Sequence, residues 1–514
     1  RVPDPMPDAI RESADLLDLP NTLQQIHFPD TLDLLKDAQQ RLAFDELFLL
    51  QLGVLAQKRD WQSAPGLPVS APDEWLQALL ASLPFPLTGA QTRALNDLRA
   101  DLASGRPMNR LIQGDVGSGK TVVAAIALAL AARAGLQGAL LAPTSILADQ
   151  HHRTLTALLA PAGLQPEEIR LLLGATPNSQ KAEIRAGLAS GEVKLVIGTH
   201  ALLEAPVEFA NLGLAVIDEQ HRFGVAQRAA LRGKGSNPHL LVMTATPIPR
   251  SLALTLYGDL DLTVIDEMPP GRQPITTRVL RQVERQRAFA FIRAQVTAGR
   301  QAFIIYPLVE ESEKIEARAA VDEYAILQKN IFPDLKLGLL HGRMSGDEKD
   351  TAMSAFRAGE IQVLVSTSVV EVGVDVPNAT VLLVEGANRF GLSQLHQFRG
   401  RVGRGAHKSY CLLISDASGS APDPRLVAME ETSDGFVLAE RDLQQRGPGD
   451  FLGVRQSGFA DLRMAKLTDV RLIEKARREA AALFARDPDL TQPEHRALAA
   501  RLEQQWMQGQ ADIS

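Results

Sequence analysis

One eight-residue stretch, Gly114-Asp115-Val116-Gly117-Ser118-Gly119-Lys120-Thr121, narrows the possible folds of this chain more than any other feature. It follows the apolar pair Leu111-Ile112 and opens the Ala/Val/Leu-rich run 122–132, giving the order strand, glycine loop, helix. A helix entered through glycines turns its first N–H groups toward one point and adds the partial positive charge of its N-terminus, which suits phosphate oxygens. In this reading Gly114, Gly117 and Gly119 let the backbone wrap a phosphate. Lys120 reaches the β- and γ-phosphates, and the Thr121 hydroxyl ligates Mg²⁺. A chance glycine turn would lack the flanking strand and helix.

The pattern around that loop is α/β. Apolar strand candidates at 110–113, 139–142, 169–173, 194–197, 214–217 and 240–243 alternate with helical stretches such as 145–160 and 179–189, as in a parallel sheet covered on both faces. Met268-Pro269-Pro270-Gly271 breaks the alternation. It resumes with strands at 302–306, 335–340, 361–365, 381–384 and 410–414, so two α/β lobes are expected in tandem, and only the first has a phosphate loop. The boundaries expected are a helical segment over 1–72, a first lobe over 73–267, a second over 268–420, and a C-terminal part over 421–514. Leucine-rich stripes at helical spacing fill the first segment, and the tail from Val470 to about Gln508 reads as helical with a solvated charged face.

The chemistry-bearing residues cluster after strands. Asp218-Glu219-Gln220-His221 ends the apolar run 214–217, and in open α/β sheets ligands bind beyond the carboxyl ends of strands. Asp218 is placed to hold Mg²⁺ through water, and Glu219 to polarise an attacking water. Met243-Thr244-Ala245-Thr246-Pro247 could hydrogen-bond that acidic pair or merely cap a helix. In the second lobe, Gln394–Arg404 carries three arginines and two glycines without an acidic partner. Guanidinium forks suit phosphate, and a lobe without a phosphate loop can supply them to a nucleotide on its neighbour.

These stretches, with Ala142-Pro143-Thr144, Gly198-Thr199-His200, Ser366-Thr367 and Glu371-Val372-Gly373-Val374-Asp375-Val376-Pro377, resemble the superfamily 2 nucleic-acid motors in order and spacing over about residues 75–415. The resemblance implies two RecA-like parallel-sheet lobes and the cofactors ATP and Mg²⁺. It implies that Arg401 and Arg404 face the nucleotide with Gly373 and Asp375, and that Phe85 and Gln91, in Phe85-Pro86-Leu87-Thr88-Gly89-Ala90-Gln91, recognise adenine. It implies that Thr144, Thr199, His200, Arg343 (in His341-Gly342-Arg343-Met344) and Thr367 line a DNA strand path.

Within that class, His221-Arg222-Phe223-Gly224-Val225 with Gln227-Arg228, and Thr246-Pro247-Ile248-Pro249-Arg250, resemble the RecG and Mfd families. Both carry a translocation element after the second lobe, a helical hairpin feeding a loop. Here it falls on 425–458, with Arg425 and Arg446 matching the hairpin arginines and Gln456 the loop glutamine. The lead-in 83–91 and the approach 40–47 favour RecG. The expected activity is ATP-driven translocation on double-stranded DNA that remodels forks and Holliday junctions, with an Mfd-like transcription-repair motor as the alternative. A small-molecule phosphotransferase and a passive junction-binding scaffold are rivals of other classes. The RecG family's N-terminal wedge domain has no counterpart in residues 1–70, and a first residue of Arg1 is expected of a fragment or processed product.

Composition sets limits on partners. With 54 Lys and Arg against 61 Asp and Glu, the net charge is −7, so branched DNA would be held by local basic patches against a repulsive global field. Single-stranded DNA-binding protein is a further partner class, and a cytoplasmic, nucleoid-associated monomer without membrane contact is expected. The lone cysteine, Cys411, lies in an apolar strand candidate, excludes an internal disulfide and fits a reducing compartment.

Overall fold

The computed structural model describes residues 3–63, 65–219, 225–246, 260–271, 273–307, 313–367, 375–416, 423–446, 464–465 and 469–511. The first lobe is built on a seven-stranded sheet: β1 (Asn109–Gly114), β2 (Gln137–Leu141), β3 (Ile169–Leu172), β4 (Leu195–Gly198), β5 (Leu212–Asp218), β6 (His239–Thr244) and β7 (Asp261–Ile265). The strand order is β3-β4-β2-β5-β6-β1-β7, and every pair is parallel. β5 and β6 are buried along their whole length, which is why they read as continuous apolar runs. The helix Lys120–Arg133 is buried continuously from Val122 to Ala131, as a helix apolar on all sides must be.

The second lobe has six parallel strands, β8 (Ile275–Arg281), β9 (Gln301–Ile305), β10 (Leu337–Leu340), β11 (Val363–Ser366), β12 (Ala379–Val384) and β13 (Ser409–Ser415), in the order β10-β11-β9-β12-β13-β8. Among the described residues both lobes therefore hold one strand more than the apolar runs reveal. β7 and β8 are edge strands in which most residues are half-exposed or exposed and threonines break the apolar sequence, so neither presents a run of apolar residues. Cys411 lies fully buried in β13, where burial pushes its thiol up to about 12.

The helical segments at the two ends of the described chain pack together. The helix Leu32–Gln62, capped by Thr31, shares a core with Val470–Arg486 through Phe44, Leu47, Phe48, Ile473, Ala476 and Leu483. Glu46 accepts hydrogen bonds from the N–H groups of Met464 (3.0 Å) and Ala465 (2.9 Å). The C-terminal tail, expected as one helical stretch, is two helices, Val470–Arg486 and Arg496–Ala511. Asp487 makes the break by accepting from Thr491 N and Gln492 N, each at 3.0 Å, and from His495 Nδ1 at 2.7 Å. Among the described residues no helix is long and apolar enough to cross a membrane.

Candidate active site

Strand register brings the first lobe's chemistry to one edge. Asp218 pairs with Met243, Gln113 with Thr244 and Gly114 with Ile265, so the loops leaving β5, β6 and β1 emerge level and adjacent. The phosphate loop is held in a glycine-specific shape, with φ of +81° at Gly117 and +85° at Gly119. A Cβ at Gly119 would overlap Gln91 Nε2. That amide donates to Ser118 O at 2.8 Å, while its Oε1 accepts from Thr88 N at 2.9 Å in a capping box that starts the helix Gly89–Ala103. Gln91 thus braces the loop from behind, and Phe85 stands exposed nearby in sequence.

Lys120 is buried and donates to Gly114 O (2.7 Å) and Asp115 O (2.9 Å). Burial lowers its pKa, opposed by the charges of Glu219, Asp218 and Asp115. Burial acts to raise Asp218, yet His151 Nε2 at 2.7 Å and the Lys120 charge bring it below the ordinary carboxylate value. Glu219 moves the other way, raised by burial and by the neighbouring Asp218. Its φ of +54° is a left-handed conformation that costs a non-glycine residue energy, and its carboxylate accepts from Ala245 N at 3.3 Å. The two adjacent acids are therefore pushed apart in acidity, one held ionised and one made a better proton acceptor.

The second lobe closes on this edge. The helix Leu392–Arg399 and the turn after it bring in His396, Gln397, Gly400, Arg401 and Arg404. His396 Nε2 lies 2.5 Å from Asp115 Oδ1, and Gln397 Nε2 donates to Thr246 Oγ1 at 2.6 Å. Gly400 has no side chain because Val116 of the phosphate loop lies against it. Arg401 is buried, and its charge acts on Glu219. The charge of Arg404 acts on Lys120, and Arg404 also pairs with Asp375. Arg399 donates to His396 Nδ1 (2.8 Å) and to the carbonyls of Met429 and Thr432, each at 2.9 Å. An always-protonated guanidinium donating to Nδ1 requires a lone pair there, so Nε2 carries the proton donated to Asp115. A continuous path thus runs from the phosphate loop to the end of the helix Pro424–Glu431.

The remaining sequence-derived candidates lie on both lobes, after the second lobe, and in part outside the described residues. Thr144 and Thr199 follow β2 and β4, whose ends are level, with exposed His200 beside them. On the second lobe Arg343 is exposed, and Thr367 Oγ1 is buried with no hydrogen-bond partner among the described residues. Arg425 is engaged within the chain, by Asp423 (2.8 Å) and by Asn388 O (2.8 Å). Gly373, Gln456, the stretches 220–224 and 247–250, and the Arg446 side chain lie outside the described residues. Sequence reasoning did not single out Asp115, Gln150 or His151. The available signal for His151 was a histidine pair, 151–152, two turns into a helix leaving the ligand edge.

Two RecA-like lobes facing each other across a phosphate loop, an acidic pair and arginines define the class of superfamily 2 helicase folds. Residues 88–255 match the DEAD/DEAH box helicase model, 286–406 the helicase conserved C-terminal domain, and 432–509 the C-terminal part of domain 3 of ATP-dependent DNA helicase RecG. The chain belongs to the RecG family. It is 50% identical to ATP-dependent DNA helicase RecG of Synechocystis sp. over 495 residues, covering 95% of this chain and 59% of that protein. With the Bacillus subtilis protein the identity is 46% over 503 residues, covering 98% and 73%. A solved structure of RecG bound to a three-way DNA junction superposes with a TM-score of 0.79 at 41% identity, covering 93% of this chain and 62% of that one. The chain therefore spans about three-fifths to three-quarters of the length of these relatives. The match of residues 432–509 to RecG's own domain 3 disfavours the Mfd-like alternative.

Proposed function

We propose that this chain is the motor of an ATP-dependent double-stranded DNA translocase that remodels branched DNA, reversing forks and migrating Holliday junctions. The observation that carries the reading is the cleft itself, where Lys120, Asp218 and Glu219 of one lobe meet Arg401 and Arg404 of the other. The residues fit ATP and Mg²⁺. Gly117 and Gly119 hold the left-handed backbone that a phosphate-wrapping turn requires, and Thr121 directly and Asp218 through water would hold the cation. Bound Mg-ATP supplies a phosphoanhydride whose cleavage releases the free energy for movement.

The chain's own groups do the rest. Lys120 neutralises phosphate charge. Asp218, kept ionised by His151, would hold the cation through water. Glu219, raised in pKa, accepts the proton of the attacking water. Arg401 and Arg404 bring positive charge from the second lobe, so hydrolysis requires a closed cleft. Closure moves the helix Leu392–Arg399, and through Arg399 it moves the carbonyls that end Pro424–Glu431. Thr144, Thr199, His200, Arg343 and Thr367 would track the DNA backbone, with Arg425, Arg446 and Gln456 in the translocation element. Such contacts are to phosphate, hence salt-sensitive and independent of sequence. Single-stranded DNA-binding protein is a proposed partner and the monomer the proposed working unit.

The test is ATP hydrolysis and strand displacement with no DNA, linear duplex, a model fork and a Holliday junction. Hydrolysis stimulated by DNA, with displacement on branched substrates, is expected. Turnover indifferent to every DNA, or DNA binding indifferent to nucleotide, would refute it.

A further inference from the structure

The helix Ser145–Leu159 begins at Thr144, whose hydroxyl caps it by accepting from Leu147 N at 3.4 Å. Two consecutive residues on it reach opposite walls of the nucleotide cleft. His151 Nε2 lies 2.7 Å from Asp218 Oδ2 on the same lobe. Gln150 crosses to the other lobe, where its amide donates to Asp375 Oδ2 (3.2 Å) and accepts from Asp375 N (3.3 Å). Asp375 in turn pairs with Arg404. The first turn of this helix also meets the second lobe: Ser145 Oγ donates to Asp350 at 3.1 Å, and Ile146 packs on that lobe's core.

Successive side chains on a helix diverge by about 100°, which lets neighbours serve two walls at once. A histidine that only filled the core would need no such neighbour. A glutamine that only solvated a surface would not read both the carboxylate and the N–H of one residue on the opposite lobe. Because a helix moves as a rigid rod, a shift at Thr144 is delivered to Asp218 and to the Asp375–Arg404 pair together.

We propose that Gln150 and His151 are positioning residues that couple occupancy of the strand path at Thr144 to alignment of both cleft walls. This assignment rests on the translocase reading above. DNA at the first-lobe path seats the helix, His151 fixes the Asp218 carboxylate, and Gln150 fixes Asp375 so that Arg404 points into the cleft.

The test uses the full chain and the variants Gln150→Ala, His151→Leu and His151→Gln. It measures ATP hydrolysis with and without forked DNA, binding of a fluorescent non-hydrolysable ATP analogue, and fork binding by anisotropy. Misplaced catalytic groups cost orders of magnitude, so Gln150→Ala and His151→Leu should each cut the stimulated-to-basal ratio about tenfold through kcat. Analogue and fork affinities should stay within about twofold. His151→Gln, which keeps a donor near Asp218, should recover most of the ratio. If both variants keep wild-type stimulation, or if analogue binding falls in parallel with turnover, the coupling role is wrong. If wild type itself shows no stimulation by DNA, the translocase reading fails and this one with it. Gln150→Ala changes a half-buried cleft residue and keeps the test decisive should His151→Leu not fold.

Discussion

Replacing Gly400 with alanine should separate cleft closure from folding. Gly400 has φ −65° and ψ −6°, an ordinary helical conformation that alanine adopts without strain. A methyl there would stand 2.7 Å from Val116 Cβ and 2.8 and 3.1 Å from its two Cγ atoms. Carbon contacts settle at about 3.5–4.0 Å, so the two walls must part by roughly 1 Å. Overpacking of this kind costs about 1–3 kcal/mol. The three nearest atoms all belong to the opposite lobe, so the cost falls on the closed state alone. That shifts the closing equilibrium about 5- to 150-fold. With the cleft open the substitution stabilises the chain, by about 0.4–1 kcal/mol through the unfolded state. The assays are kcat/KM for fork-stimulated ATP hydrolysis and a thermal melt. Turnover should fall within that range while Tm holds or rises by up to about 1 °C. Wild-type turnover would show that Gly400 and Val116 do not meet during catalysis, and a lowered Tm would move the defect to folding; either refutes the reasoning.

Three further outcomes are expected. Glu219→Gln should lower hydrolysis about 10²- to 10⁴-fold while leaving analogue binding measurable, and the acid limb of the wild-type pH–rate profile should lie above the ordinary glutamate value because burial raises this group. Arg343→Ala should weaken DNA binding equally across sequences and reduce the salt slope by about one, as read by anisotropy at several salt concentrations. The hydrogen bond from His495, then the N–H groups of Gln492 and Thr491, depresses Asp487 from 3.8 to about 2. A depressed carboxylate contributes stability above its unfolded pKa and loses it as pH falls through the folded value. Melts of wild type should therefore lose a step between 3.8 and about 2 that Asp487→Asn lacks.

Much of this architecture was legible because its strands are buried on both faces and its loops carry unusual chemistry. The tandem parallel lobes followed from apolar runs such as 214–217 and 381–384, and the phosphate loop from its glycines. β7 and β8 escaped because threonines interrupt their apolar residues, Thr263 in Asp261–Ile265 and Thr276 and Thr277 in Ile275–Arg281, where Arg278 and Arg281 are also exposed, so no apolar run forms. The break in the tail escaped because it is made by a side chain, Asp487, folding onto later N–H groups rather than by a run of turn residues. The acidic pair was singled out by its position after a strand, and the arginines by their number, without an acidic partner, in a lobe lacking a phosphate loop. Asp115, Gln150 and His151 were not, because each acts through a partner more than sixty residues away, 281 residues for Asp115 with His396. Only a folded chain places a loop aspartate beside that histidine, or turns an ordinary helical glutamine into a bridge.

The clasp between the helix Leu32–Gln62 and the helix Val470–Arg486 bears on how the molecule is made. Glu46 and its backbone partner Met464 are 418 residues apart. A ribosome adding about 5–20 residues per second takes roughly 20–80 s to cover that distance. For all of that time the stripe through Phe44, Leu47 and Phe48 lacks the apolar face of Val470–Arg486 that it packs against, so this part of the core closes only after both lobes have been made.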